Sequence, residues 1–137
     1  MTLKWINFKS GPNVFVVSVR CANHQYPHDL PTISVVLIYL DEALSIIKRA
    51  VRSIIDKTPQ HLLKDIILVD DHSSNEDLKE KLDAYISFID EERPGLLKRV
   101  RHLEQLGLTQ ARLSGWREAE GDVVAILDAH IEVHVEW

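Results

Sequence analysis

A chain of 137 residues is one domain's worth of protein, long enough to bury a core. With 45% hydrophobic and 27% charged residues and few Gly or Pro, its composition excludes a disordered, collagen-like or coiled-coil protein. A formal net charge of -5 gives no general attraction to phosphate backbones, which argues against nucleic acid as a partner, and the single Cys21 can close no internal disulfide.

Residues 1–20 stand apart from the rest of the chain. Val14 to Val17 is a short apolar run between Asn13 and Ser18, expected either to add an edge strand or to remain loosely attached. It is too short for a signal-peptide core. The run Ile33 to Tyr39 is nearly all apolar, as a strand covered on both faces should be, and too short to span a bilayer. Leu44, Ile47, Val51, Ile54 and Ile55 then recur at helical spacing up to Pro59. Ile66 to Val69 reads as a second buried strand stopping at Asp70-Asp71. Ser73 and Glu76 have capping-box spacing, ahead of a helical stripe at Leu78, Leu82, Tyr85, Ile86 and Ile89. Pro94-Gly95 marks a turn, and Lys98 to Leu103 is a polar candidate for a third strand. Thr109 is the expected N-cap of a third helix ending near Gly121, with Trp116 packed on it, and Asp122 to Leu127 is a fourth strand.

Strand–helix repeats of this length imply right-handed crossovers and a mostly parallel sheet with flanking helices. Ligands of such sheets sit outside the carboxyl ends of the strands, so the polar residues there are the candidates: Asp41-Glu42, Asp70-Asp71, and Asp128 with His130. In extended chain, residues i and i+2 project to one side, so Asp128 and His130 can converge on one ion. That oxygen and nitrogen donor set suits Mn²⁺ or Zn²⁺ better than Ca²⁺. Two ligands are not a complete site, and the plainer reading is a solvent-facing pair at a strand end. Glu132 and His134 continue the alternation, and for them the polar face of an amphipathic segment is the preferred reading. Asp71 can accept a hydrogen bond from a ribose hydroxyl or a base N–H, while Ser73 need do no more than cap a helix. The pair Asp70-Asp71 also suits the acidic pocket of a response-regulator receiver. That fold, however, needs an Asp after the third strand and a Lys beyond the fifth, which this sequence does not supply. Gly107 to Arg112 opens a helix whose N-terminus, with Arg112, is a weak candidate phosphate neighbour.

Six strings occur in order: Leu30-Pro31-Thr32-Ile33-Ser34-Val35-Val36, Asp41-Glu42-Ala43, Thr58-Pro59-Gln60-His61-Leu62-Leu63-Lys64, Ile67-Leu68-Val69-Asp70-Asp71, Gly107-Leu108 with Ala111-Arg112, and Leu127-Asp128-Ala129-His130. Together they resemble the first half of the catalytic domain of the polypeptide N-acetylgalactosaminyltransferases. Glu42 to Ile47, Gly115-Trp116 and Ala129 to Val133 resemble the divergent type 8-like branch. The match runs from about Cys21 to Trp137, leaving residues 1–20 as a segment outside the family and 21–137 as a partial catalytic domain.

The resemblance implies an α/β fold of the GT-A (Rossmann-like) kind, here a nucleotide-sugar-binding half-domain. It implies retaining transfer of N-acetylgalactosamine from UDP-GalNAc to Ser or Thr of a polypeptide acceptor. Asp128 and His130 are then the Mn²⁺ ligands, and Asp71 contacts the uridine. No catalytic residue is singled out. Three positions depart from the active members: Ile38 replaces a Thr, Leu40 replaces a His, and Gln105 replaces an Arg. Loss of a cation beside a diphosphate costs on the order of 1.5–3 kcal/mol. The family's full-length proteins are Golgi membrane enzymes. The anchor and stem are expected ahead of residue 21. A third metal-binding His, the acceptor region and a lectin domain are expected beyond Trp137. Two readings are open: an enzyme-family member whose sites act in a complete chain, or a non-catalytic remnant that binds partners or nucleotide. For these residues alone no turnover is expected.

Overall fold

β1 (Ile33–Tyr39) and β2 (Leu63–Asp70) form the centre of a four-stranded parallel sheet in the order β3-β2-β1-β4, with β3 at Leu97–Arg101 and β4 at Val123–Asp128. This computed structural model describes residue 27, residues 29–134 and residue 137; the expected strand at Val14–Val17 and Cys21 lie outside them. The chain divides into two units, Met1–Leu30 and Pro31–Trp137, and the sheet belongs to the second. All pairings are parallel, as the strand–helix alternation predicts.

Both faces of β1 and β2 are covered, which explains their unbroken apolar sequence. Val35, Leu37, Tyr39, Ile66 and Leu68 point to one side. There they meet α1 (Leu44–Lys57) through Ile47, Ala50, Val51 and Ile54, and α2 (Glu80–Glu92) through Leu82 and Ile89. Val36, Ile67 and Val69 point to the other side, against Ala111 of α3 (Leu108–Glu118). α1 stops where Pro59 forces the residue before it out of helical geometry: Thr58 sits at φ -104, ψ 127. β2 begins earlier than its apolar run suggests, since Leu63 and Asp65 are also buried in the ladder. Buried Asp65 is held by Lys98 Nζ at 2.8 Å, which also reaches Glu120 Oε1 at 2.6 Å.

Local expectations fail at three places. Ser73 and Glu76 form no capping box: Asn75 caps a short 3-10 turn at Glu76–Leu78, accepting from the Asp77 amide. Thr109 does not cap α3; Gly107 does, at φ 84, a left-handed conformation that glycine adopts without strain. Trp116 is not a packing residue but 58% exposed. The polar third strand exists, ending at Arg101 rather than Leu103. Among the described residues it is an edge, where one covered face is enough.

Candidate functional site

The carboxyl ends of β1, β2 and β4 open on one cleft of about 350 Å³, lined by Ile38, Tyr39, Leu40, Glu42, Asp71, Gln105, Gly107, Leu108, Asp128 and His130. It gathers all four residues expected to bind donor or metal, Asp71, Gln105, Asp128 and His130. Ile38, Leu40 and Gln105, the three positions expected to depart from the active members, line the same space.

The register explains the convergence. Ile38 pairs with Asp128, so both lie on the α3 face of the sheet, where β2 delivers Asp71. Past Asp128 the backbone keeps the expected alternation for one step. Ala129 turns inward, 1% exposed, with its amide donating to Ile38 O at 3.3 Å. Asp128 and His130 are left facing the cleft, with His130 Nε2 4.0 Å from Asp128 Oδ2 and Nδ1 3.7 Å from Glu42 Oε2. Alternation stops there. Glu132 turns to Arg49 at 3.7 Å, and among the described residues no group of three or more His, Cys, Asp or Glu is placed to hold an ion. A four-ligand site along 128–134 is therefore absent among them. The donor pair that remains is open to the cleft, with an acidic neighbour able to hold the second ring nitrogen, an arrangement that fits a divalent ion with further ligands from solvent or substrate.

Asp71 is built differently. Its side chain is buried, and its Oδ1 accepts from the Leu106 amide at 2.9 Å and meets His102 Nδ1 at 2.8 Å. Its Oδ2 accepts from the Gly107 amide at 2.9 Å. Burial raises the Asp71 carboxyl, but the hydrogen bonds from His102, Leu106 and Gly107 outweigh it and hold the group below its ordinary value. With four lone-pair sites and three partners, one position on Oδ2 can accept from a ligand N–H or O–H in the cleft.

The loop after β1 is tied to the loop after β2 by a second carboxylate. Asp41, at φ 51, accepts the Ser74 amide at 2.7 Å and the Asn75 amide at 2.8 Å on Oδ1. Its own amide donates to Ser73 Oγ, while the Ser73 amide donates to Asp70 Oδ1. Ser73 is thus consumed in holding these loops. His72 between them also takes a left-handed φ of 74. Two non-glycine residues in that region beside one cleft mark a backbone fixed by its surroundings. Arg112 is exposed and is not among the cleft's lining residues. Sequence reasoning missed His102 and Ser114; an Asp–His contact across the sheet leaves no local spacing signal.

The sequence signature of glycosyl transferase family 2 matches residues 34–137. The chain is 59% identical over 118 residues to the human protein named "Probable polypeptide N-acetylgalactosaminyltransferase 8", covering 86% of this chain and 18% of that protein. It is 51% identical over 117 residues to human polypeptide N-acetylgalactosaminyltransferase 18, covering 85% and 19%. The chain thus spans about a fifth of the length of these relatives. Among solved structures, GalNAc-T7 with UDP, GalNAc and Mn²⁺ superposes with a TM-score of 0.80 at 42% identity, over 88% of this chain and 21% of that one. The parallel sheet with its flanking helices is the GT-A glycosyltransferase fold. With the family signature running from Ser34 in β1 through β4 and the cleft at the carboxyl ends of β1, β2 and β4, the chain belongs to glycosyl transferase family 2.

Proposed function

We propose that this chain is the nucleotide-sugar-binding part of a polypeptide N-acetylgalactosaminyltransferase, transferring N-acetylgalactosamine from UDP-GalNAc to Ser or Thr of a protein acceptor. The observation that carries the reading is the single cleft in which Asp71, Gln105, Asp128 and His130 meet. The names of the similar proteins, and the UDP, GalNAc and Mn²⁺ bound by GalNAc-T7, support it. The Golgi membrane is the matching location, although no helix among the described residues is long and apolar enough to cross a membrane.

In this reading Asp128 and His130 hold Mn²⁺, which when bound offsets the charge that develops on the leaving diphosphate. Glu42 Oε2 lies 3.7 Å from His130 Nδ1, an acidic neighbour for the ring nitrogen that does not face Asp128. Asp71 offers its remaining acceptor position to the nucleotide base. Leu108 and Ile38 supply apolar wall, and Gln105 supplies an amide but no charge.

Isothermal titration of the 137-residue chain with UDP, with and without Mn²⁺, tests this. Binding that requires the metal and disappears in Asp128→Asn is expected; UDP binding indifferent to Mn²⁺, or none, overturns the proposal. Because Gln105 is uncharged, Gln105→Arg should tighten UDP binding by about tenfold, the scale of one added charge-assisted hydrogen bond.

A further inference from the structure

His102 joins three separate elements. It follows β3, its Nδ1 lies 2.8 Å from Asp71 Oδ1 beyond β2, and its Nε2 lies 2.9 Å from Ser114 Oγ on α3. The ring is 8% exposed. An ionised carboxylate can only accept, so Nδ1 carries the proton facing Asp71 and leaves Nε2 to Ser114. The order Asp–His–Ser invites comparison with a nucleophilic triad, but neither His102 nor Ser114 is among the residues lining the cleft. A different role fits the placement. Asp71 Oδ1 is shared between the His102 ring and the Leu106 amide, while Oδ2 takes the Gly107 amide. Residues 102–107 therefore close a loop on Asp71, and that loop carries Gln105 and Gly107 into the cleft wall. With His102 removed, Asp71 could turn about its own side-chain bonds, and the loop amides would lose a fixed acceptor.

We infer that His102 is a positioning residue for the nucleotide: braced by Ser114, it sets the direction of the Asp71 carboxylate and with it the 102–107 wall of the cleft. This inference rests on the donor-binding reading above and adds to it a residue that touches no ligand. The ring is not interchangeable with a bulky apolar side chain, because its Nδ1–H sets which lone pairs of Asp71 remain for the cleft. An asparagine, whose amide can donate from nearly the Nδ1 position, should replace that part of its role.

The test uses the 137-residue chain and three variants, His102→Leu, His102→Asn and Ser114→Ala, each checked for a cooperative melt. His102→Leu should weaken UDP binding in the presence of Mn²⁺ by about tenfold, the loss expected for one hydrogen bond to a charged group. His102→Asn should bind within about threefold of the parent, on the scale of a neutral hydrogen bond, and Ser114→Ala should fall between them. Affinity for Mn²⁺ alone should be unchanged in all three. Amide exchange at Leu106 and Gly107 should rise about tenfold in His102→Leu and not in His102→Asn. A His102→Leu variant that melts lower but binds UDP and protects these amides as the parent does would make His102 a mere packing group and overturn the inference. Failure of His102→Asn to rescue would do the same. If the parent binds no UDP, the donor-binding reading fails, and the exchange of the two amides still decides whether His102 holds the loop. If His102→Leu does not fold, Ser114→Ala carries the comparison through the same readouts, and parent-like values there overturn the bracing.

Discussion

Asp71 and Asp41 do similar work at neighbouring strand ends, and their acid behaviour follows from who their partners are. Both accept backbone amides while ionised, and both carboxyls are held below their ordinary value. For Asp41 the Asn75 amide is the leading cause; for Asp71, burial opposes the shift and is outweighed by His102, Leu106 and Gly107. A depressed folded-state value contributes stability above the unfolded value of about 3.9 and loses it as pH falls through the folded one. The chain should therefore lose stability steadily from about pH 5 downward as the two loops release their amides. Asp71→Asn should lower stability at neutral pH by about 1.5–3 kcal/mol, since an amide NH₂ turned toward N–H donors leaves them unpaired. It should also make the acid limb shallower. Urea melts at several pH values check both, and an acid limb as steep as the parent's would remove Asp71 from this account. None of this was legible in the Asp70-Asp71 string, which identifies a strand end but not which carboxylate faces which layer. Only the sheet's alternation sends Asp71 toward α3 and Asp70 toward Ser73.

The elements themselves are far more legible, and the misses at the starts of helices have a common cause. β1, β2 and β4 announce themselves through apolar runs, and α1 through its stripe and Pro59. The starts of the polar segments went wrong because long-range hydrogen bonds took the residues that local rules would have used. Ser73 serves Asp41 instead of capping a helix, and the Gly107 amide serves Asp71. α3 adds a requirement no periodicity shows. A methyl group on Gly115 would stand 2.2 Å from Val36 Cγ1 and 3.0 Å from Val69 Cγ2, so the helix rests on the sheet through its bare backbone. Gly to Ala inside a helix ordinarily gains up to about 1 kcal/mol. Gly115→Ala should do the reverse, costing about 1–3 kcal/mol by forcing α3 off β1 and β2. Val36→Ala in the same chain should offset part of that cost, a non-additivity that thermal melts of the two single variants and the double variant would reveal. A Gly115→Ala chain as stable as the parent would show that α3 does not depend on this close approach.

At the scale of the whole sheet, the two faces and the two edges are unequally protected. β3 is short and carries Lys98, Arg99 and Arg101, the charged kind of edge that resists pairing with another chain. β4 is the opposite edge among the described residues, and it is apolar, with Val123 47% exposed and Ile126 also exposed. Among the described residues, one face of the sheet has α1 and α2 but the other has α3 alone, so there β4 receives little cover on the side where Ile126 points. The formal charge of -5 opposes association, yet it is screened beyond about 8 Å at physiological salt, whereas strand pairing acts at contact. The chain should therefore self-associate as its concentration rises, and more readily in salt. Val123→Lys places a charge on the exposed start of β4, at the opposite end of the strand from Asp128. It should shift the light-scattering mass toward the monomer while leaving metal-dependent UDP binding intact. A parent chain that stays monomeric and melts sharply across the same concentrations would show that β4 is not an adhesive edge.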